Sequence, residues 1–162
     1  RIAMVTAVLL TLWFAVLFQY WHRDIGVDLD RRDRLVAFVQ EQAAGDLPVA
    51  VAHPHDYLEL AHDARGPIAA RLVRLSDPER SLEYTGSRST EDGLVVLAGF
   101  APLRLVPYEE QLAQFLLLRT VRGEAEDWIE QALATDRARM RVVAMDEGDG
   151  FTLVRVEPAR AR

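Results

Sequence analysis

The 162-residue chain contains no cysteine. Disulfides, thiolate zinc sites and a cysteine nucleophile are thereby excluded, while the redox compartment stays open. Lysine and asparagine are missing as well, so all 19 basic residues are arginine, a bias that reads as genome composition rather than as a recognition device. The net charge is −6, with acids and bases mixed along the chain. No basic stripe is left to neutralise phosphates, which argues against nucleic acid as a partner. Catalytic signatures are equally scarce. No Gly-x-Ser-x-Gly elbow occurs. Gly86-Ser87-Arg88-Ser89-Thr90 lacks the P-loop spacing. Asp146, Glu147 and Asp149 lack the EF-hand spacing and its terminal Glu, and read as a turn.

What is present begins at the N-terminus. Ile2 to Phe18 carries no charge, and the apolar run continues into Tyr20 and Trp21. At ~1.5 Å of rise per residue a helix of this length just spans a bilayer. No small-x-small cleavage site comes after it, which separates the segment from a signal peptide. Tyr20 and Trp21 are the amphipathic aromatics suited to a headgroup interface. The expectation is a transmembrane helix over residues 1–22, with the lipid bilayer as partner. The chain opens on Arg1, so it is expected to be the tail of a longer protein with further membrane helices upstream. Arg23, Arg31, Arg32 and Arg34 would by themselves hint at a cytoplasmic domain.

Residues 23–46 read as an amphipathic linker helix, with Leu35, Phe38, Val39 and Gln42 on one face and Gly45 as its stop. Residues 47–158 come next as a soluble domain, and 159–162 as a tail. Within the domain one design occurs twice. Pro48-Val49-Ala50-Val51-Ala52 is a short strand buried on both faces, leading through His53-Pro54 into a helix around Tyr57-Leu58-Glu59-Leu60. Arg71-Leu72-Val73-Arg74-Leu75 leads likewise through Asp77-Pro78-Glu79 into a second helix. Pro at the first helical position loses no hydrogen bond, and the acid after it complements the helix dipole. Further expected elements are a polar loop over Thr85–Asp92 and a helical or mixed segment from Leu94 to Pro102. Beyond them stand a strand at Leu103–Val106, a helix starting at Pro107, a core strand at Phe115–Leu118 and a helix over Glu124–Thr135. A hairpin of Met140–Met145 with Phe151–Val156 closes the chain. The fold class is α/β: one N-terminal transmembrane helix, then a small three-layer, mostly parallel, Rossmann-like sheet ending in an antiparallel hairpin.

Candidate ligand-binding residues are His53 and His55, beyond the first strand, and Asp77, beyond the second, because open α/β sheets bind ligands at the carboxyl ends of their strands. The grouping of His53, His55, Asp56, His62 and Asp63 lacks a convincing zinc spacing. Helix capping explains Asp77 equally well. No catalytic residue, metal site or cofactor is assigned.

The tract from the apolar helix through Pro48-Val49-Ala50-Val51, Tyr57-Leu58-Glu59-Leu60, Arg71-Leu72-Val73-Arg74-Leu75-Ser76-Asp77-Pro78-Glu79 and Tyr84-Thr85-Gly86-Ser87 resembles a known family. Phe100-Ala101-Pro102-Leu103, Tyr108, Trp128 with Leu133, and Leu153-Val154-Arg155-Val156 extend the likeness. It resembles the C-terminal region of bacterial membrane glycosyltransferases related to dolichyl-phosphate-mannose protein mannosyltransferases. The resemblance implies a polytopic inner-membrane enzyme transferring a sugar from a polyprenyl-phosphate carrier to a lipid, glycan or protein acceptor. This soluble domain would be extracytoplasmic, in the periplasm, against the hint from the arginines. The family's catalytic carboxylate lies near its first membrane helix, upstream of Arg1, and maps onto no residue here. Two other readings stand beside it: a single-pass membrane-anchored module binding a protein or small solute, and an independent hydrolase or transferase using the His53–Asp77 edge.

Overall fold

The computed structural model describes residues 13, 29–110, 114–120 and 127–157. The chain divides into two compact units, Arg1–Arg34 and Leu35–Arg162. In the first, Trp13 and residues 29–34 are helical. The expected membrane helix over 1–22 lies, Trp13 apart, outside the described residues, as does the tail over 159–162. Among the described residues no helix is long and apolar enough to cross a membrane.

The second unit is an α/β domain built on a six-stranded sheet of order β3-β2-β1-β4-β6-β5. Its strands are β1 (Val49–Val51), β2 (Leu72–Ser76), β3 (Leu105–Pro107), β4 (Phe115–Thr120), β5 (Arg139–Asp146) and β6 (Phe151–Glu157). β1 pairs in parallel with β2 and β4, and β2 with β3. β6 pairs antiparallel with β4 and β5, so a mostly parallel sheet ends in the hairpin expected for it. The apolar run of β1 is buried throughout, as are Phe115 to Leu118 of β4. That is why these strands show no alternation: helices cover them on both faces.

One face of the sheet, with Val49, Val51, Leu116, Leu118 and Leu153, packs against Leu35 and Val39 of the helical segment 35–42 (α1), against Tyr57 and Leu60 of α2 (Pro54–Asp63), and against Ile68 of α3 (Pro67–Arg71). The other face, with Ala50, Val73, Leu75, Leu117 and Val154, packs against Trp128, Ile129, Ala132 and Leu133 of α6 (Trp128–Thr135). Two helical layers thus sandwich one sheet. Leu35 and Val39 are fully buried, each contributing roughly 1.5–3 kcal/mol of transfer free energy. The expected linker helix is therefore, from Leu35 on, part of the domain core. Its buried face runs through Ala43 rather than Gln42, which is exposed.

Arg71 secures the approach to β1, donating from Nε to the Leu47 carbonyl and from Nη1 to that of Ala43, both at 2.8 Å. Tyr57 joins α2 to the start of β3: its hydroxyl donates to the Arg104 carbonyl (3.1 Å) and accepts from the Arg104 N–H (2.7 Å). Burial pushes the Tyr57 phenol up from its ordinary pKa.

Three local expectations are corrected. The polar stretch after α4 (Pro78–Thr85) is not all loop, since α5 (Ser89–Ala98) starts inside it. Glu91, Leu94 and their turn are drawn inward, so the polar sequence at Ser89-Thr90-Glu91-Asp92 is a helix start. The strand expected at Leu103–Val106 starts two residues later and ends one later, at Leu105–Pro107. Pro107 closes that strand opposite Ser76 instead of opening a helix. The next element is a single 3-10 turn, Tyr108–Glu110, held because Tyr108 is buried against Trp128 with ring centroids 5.6 Å apart.

Candidate functional site

In the order β3-β2-β1-β4 the direction of travel across the sheet reverses between β1 and β4. Open α/β sheets take ligands outside the carboxyl ends of the strands at such a switch point. Here that place is bounded by Ala52 and His53 after β1 and by Thr120 at the end of β4.

Among the described residues, buried charges of the chain itself stand at its β1 side. Arg74, in the middle of β2, is 1% exposed. Its Nη1 donates to the carbonyls of Val51 (3.1 Å) and Ala52, the oxygens that end β1. Its Nη2 donates to Glu91 Oε1 at 2.6 Å and lies 3.8 Å from Asp127 Oδ2. The indole Nε1 of Trp128 donates to the same Glu91 oxygen at 3.0 Å. One guanidinium therefore links β2, the end of β1, the first turn of α5 and the cap of α6. A buried cation is tolerable only with such partners. Asp127 caps α6 by accepting the Ile129 N–H at 3.0 Å. Its carboxyl is pushed up to about 6, chiefly by burial, with Arg74 opposing the rise. At the β4 side, the Thr120 hydroxyl donates to Asp56 of α2, whose side chain is fully buried. His53 Nδ1 lies 3.8 Å from the same carboxylate.

The residues expected from the sequence each have partners of their own. His53 is the residue before α2 and makes no side-chain cap. His55 pairs with Glu59 at 3.2 Å and lines a shallow groove of about 280 Å³ between α2 and α5, with Leu58, Gly93 and Leu94. Asp77 caps α4, accepting from the N–H groups of Glu79 (3.1 Å) and Arg80 (3.0 Å). Its neighbour Arg80 leads away from the histidines: it bonds Asp136 at 3.1 Å and lies over the Tyr108 ring, 4.4 Å from the centroid. Among the described residues no group of three or more His, Cys, Asp or Glu is arranged to hold a metal ion.

The buried quartet Arg74, Glu91, Asp127 and Trp128 was not singled out by sequence reasoning. One signal was available: an arginine inside Leu72-Val73-Arg74-Leu75, a strand otherwise apolar on both faces, requires a buried partner. Chemically the cluster is a buried ion and hydrogen-bond network that leaves Arg74 Nε and Glu91 Oε2 without a hydrogen-bond partner among the described residues, with one carboxyl that titrates at about 6. The chain matches no family model, no curated protein and no solved structure.

Proposed function

We propose that this chain is the non-catalytic, extracytoplasmic C-terminal domain of a polytopic glycosyltransferase of the dolichyl-phosphate-mannose protein mannosyltransferase-like family. The parent enzyme transfers a sugar from a polyprenyl-phosphate carrier, and this domain serves acceptor docking or folding. Residues 1–22 tether it to the inner membrane, with the domain in the periplasm. The observation that carries a docking role over bond chemistry is that Arg74, buried and paired with Glu91, engages the carbonyls at the β1 side of the switch point. Where a doubly wound sheet would receive a substrate, the strand-end carbonyls of Val51 and Ala52 already accept from Arg74. Asp77 is engaged as a helix cap, which leaves a hydrolase at the His53–Asp77 edge without that carboxylate.

These 162 residues contain no cysteine, so with any cysteine elsewhere in the whole protein replaced by serine the membrane part is directly testable. Leu9→Cys and the exposed Glu83→Cys are expressed separately in the whole protein. Intact cells are then treated with a membrane-impermeant maleimide that crosses only the outer membrane. Glu83→Cys is expected to label at once, and Leu9→Cys only after the bilayer is dissolved. Free labelling at position 9, or labelling at position 83 only after lysis, contradicts the reading.

A second reading, a single-pass anchored binding module, is favoured by the groove between α2 and α5 and by the exposed Val95, Val96 and Phe100 beside it. The upstream coding sequence separates the two. Many hydrophobic spans with an acidic first loop support the transferase, and an initiator Met just before Arg1 supports the module.

A further inference from the structure

β5 is the outermost strand of the sheet and, among the described residues, pairs only with β6 on its inner side. It is long, and its apolar residues lie open: Met140 is 43% exposed, Val142 51%, Val143 47% and Met145 57%. Such an edge is a template for another strand unless something blunts it. A β-bulge at Val143 shifts the register between Val142 and Ala144.

That bulge sets which side chains share a face. Residues directly opposite in an antiparallel pair lie on the same face. Met140, Val142 and Met145 stand opposite Val156, Val154 and Thr152, so they share the face covered by α6. Arg139, Arg141, Ala144 and Asp146 stand opposite Glu157, Arg155, Leu153 and Phe151, on the other face. In an unbulged strand Met140 and Met145, an odd number of residues apart, would point to opposite faces. The extra residue makes the strand symmetric about its own centre.

We propose that β5 pairs antiparallel with β5 of a second copy of this chain, about a two-fold axis between Val142 and Val143, joining two sheets into one. In this register Met140 stands opposite Met145 of the other copy and Arg141 opposite Ala144, each pair on a common face, with Val142 and the bulged Val143 opposite each other at the centre. Arg139 stands opposite Asp146, and the symmetry repeats that ion pair at the other end. The strand begins basic, at Arg137, Arg139 and Arg141, and ends acidic, at Asp146, Glu147 and Asp149. Antiparallel pairing therefore sets opposite charges together, whereas a parallel arrangement would set like against like. This complementarity selects a second copy over an unrelated strand, and a two-fold interface needs just such a self-matching patch. The pairing does not depend on the membrane reading.

With any cysteine outside these cysteine-free 162 residues replaced by serine, disulfide cross-linking tests the register. Full-length Met140→Cys and Met145→Cys chains are purified in detergent, alone and mixed, and oxidised. The mixture is expected to give disulfide-linked heterodimer at least tenfold above either chain alone, and Val142→Lys in both chains is expected to abolish it. Equal cross-linking in all samples, or none in the mixture, overturns the proposal. Sedimentation of the unmodified chain is expected to give a dimer, and of Val142→Lys a monomer with an unchanged circular dichroism spectrum. A monomeric unmodified chain, or a Val142→Lys dimer, overturns it equally, including where β5 serves a different partner protein.

Discussion

Arg74 and Glu91 form an ion pair 2.6 Å long with side chains 1% and 0% exposed. They come from a strand and a helix that have no contact in sequence, and Arg74 also engages the carbonyls that end β1. Removing one partner of such a pair strands the other charge away from water, at a cost of about 3–5 kcal/mol. Arg74→Ala is expected to lower unfolding free energy by about that amount in urea titrations. Glu91→Gln keeps an acceptor for the Trp128 indole and should cost less. The double substitution Arg74→Met with Glu91→Met, which removes both charges, is expected to be more stable than Arg74→Ala alone.

Asp127 carries a pH dependence of defined sign. Its carboxyl titrates at about 6 in the folded chain against 3.8 as the ordinary value, so the folded state holds the proton more tightly. Below pH 3.8 the group is protonated in both states and costs nothing, and the penalty grows between pH 3.8 and 6. Above pH 6 ionised Asp127 destabilises the fold by up to about 3 kcal/mol, converting the shift at ~1.4 kcal/mol per pH unit. Asn at this position still accepts the Ile129 N–H. Asp127→Asn is therefore expected to be more stable than the parent at pH 8, with the difference shrinking as the pH falls through 6 towards 3.8. Paired denaturation curves across that range measure it.

α4 is held at both ends by residues whose substitution should cost stability in separate ways. Asp77→Ala removes the acceptor of two backbone N–H groups and is expected to cost about 1 kcal/mol. Asp77→Ser, which can still cap, should recover most of it. At the other end Gly86 has φ +73° and ends the helix in the left-handed region. A Cβ there would meet open space, so the roughly 1 kcal/mol expected for Gly86→Ala comes from the backbone alone. Thermal melts of the variants, singly and combined, check whether the two costs add, as sites without shared partners should.

What the sequence made legible, and what it hid, divides along contact range. The repeats Ala52-His53-Pro54 and Ser76-Asp77-Pro78 announce strand, turn and helix because each signal acts within one helical turn. The closing hairpin and the buried face Trp128, Ile129, Ala132 and Leu133 are equally local patterns. The start of α5 at Ser89 was hidden because the burial of Glu91 is settled by Arg74, on another strand. The 3-10 turn at Tyr108 was hidden because Pro107 fits both a helix start and a strand end. Pairing of Pro107 with Ser76 and packing of Tyr108 on Trp128 decide for the strand. α3, at Pro67–Arg71, is too short to have a period of its own. His53, His55 and Asp77 were legible as strand-end residues, yet the groups at the β1 side of the crevice could only be found from contacts across the fold.

Engagement of the β1 side of the switch point by the chain's own ion pair is read most directly at the Trp128 indole N–H, which donates to Glu91 at 3.0 Å. In full-length protein in nanodiscs its NMR resonance, assigned by comparison with Trp128→Phe, is followed while polyprenyl-phosphate sugars and nucleotide sugars are added. An engaged edge predicts a slowly exchanging indole proton whose shift does not move with either ligand, and moves on Glu91→Gln. A saturable displacement of that resonance by a sugar donor would mean that the edge opens to substrate, and would contradict that engagement.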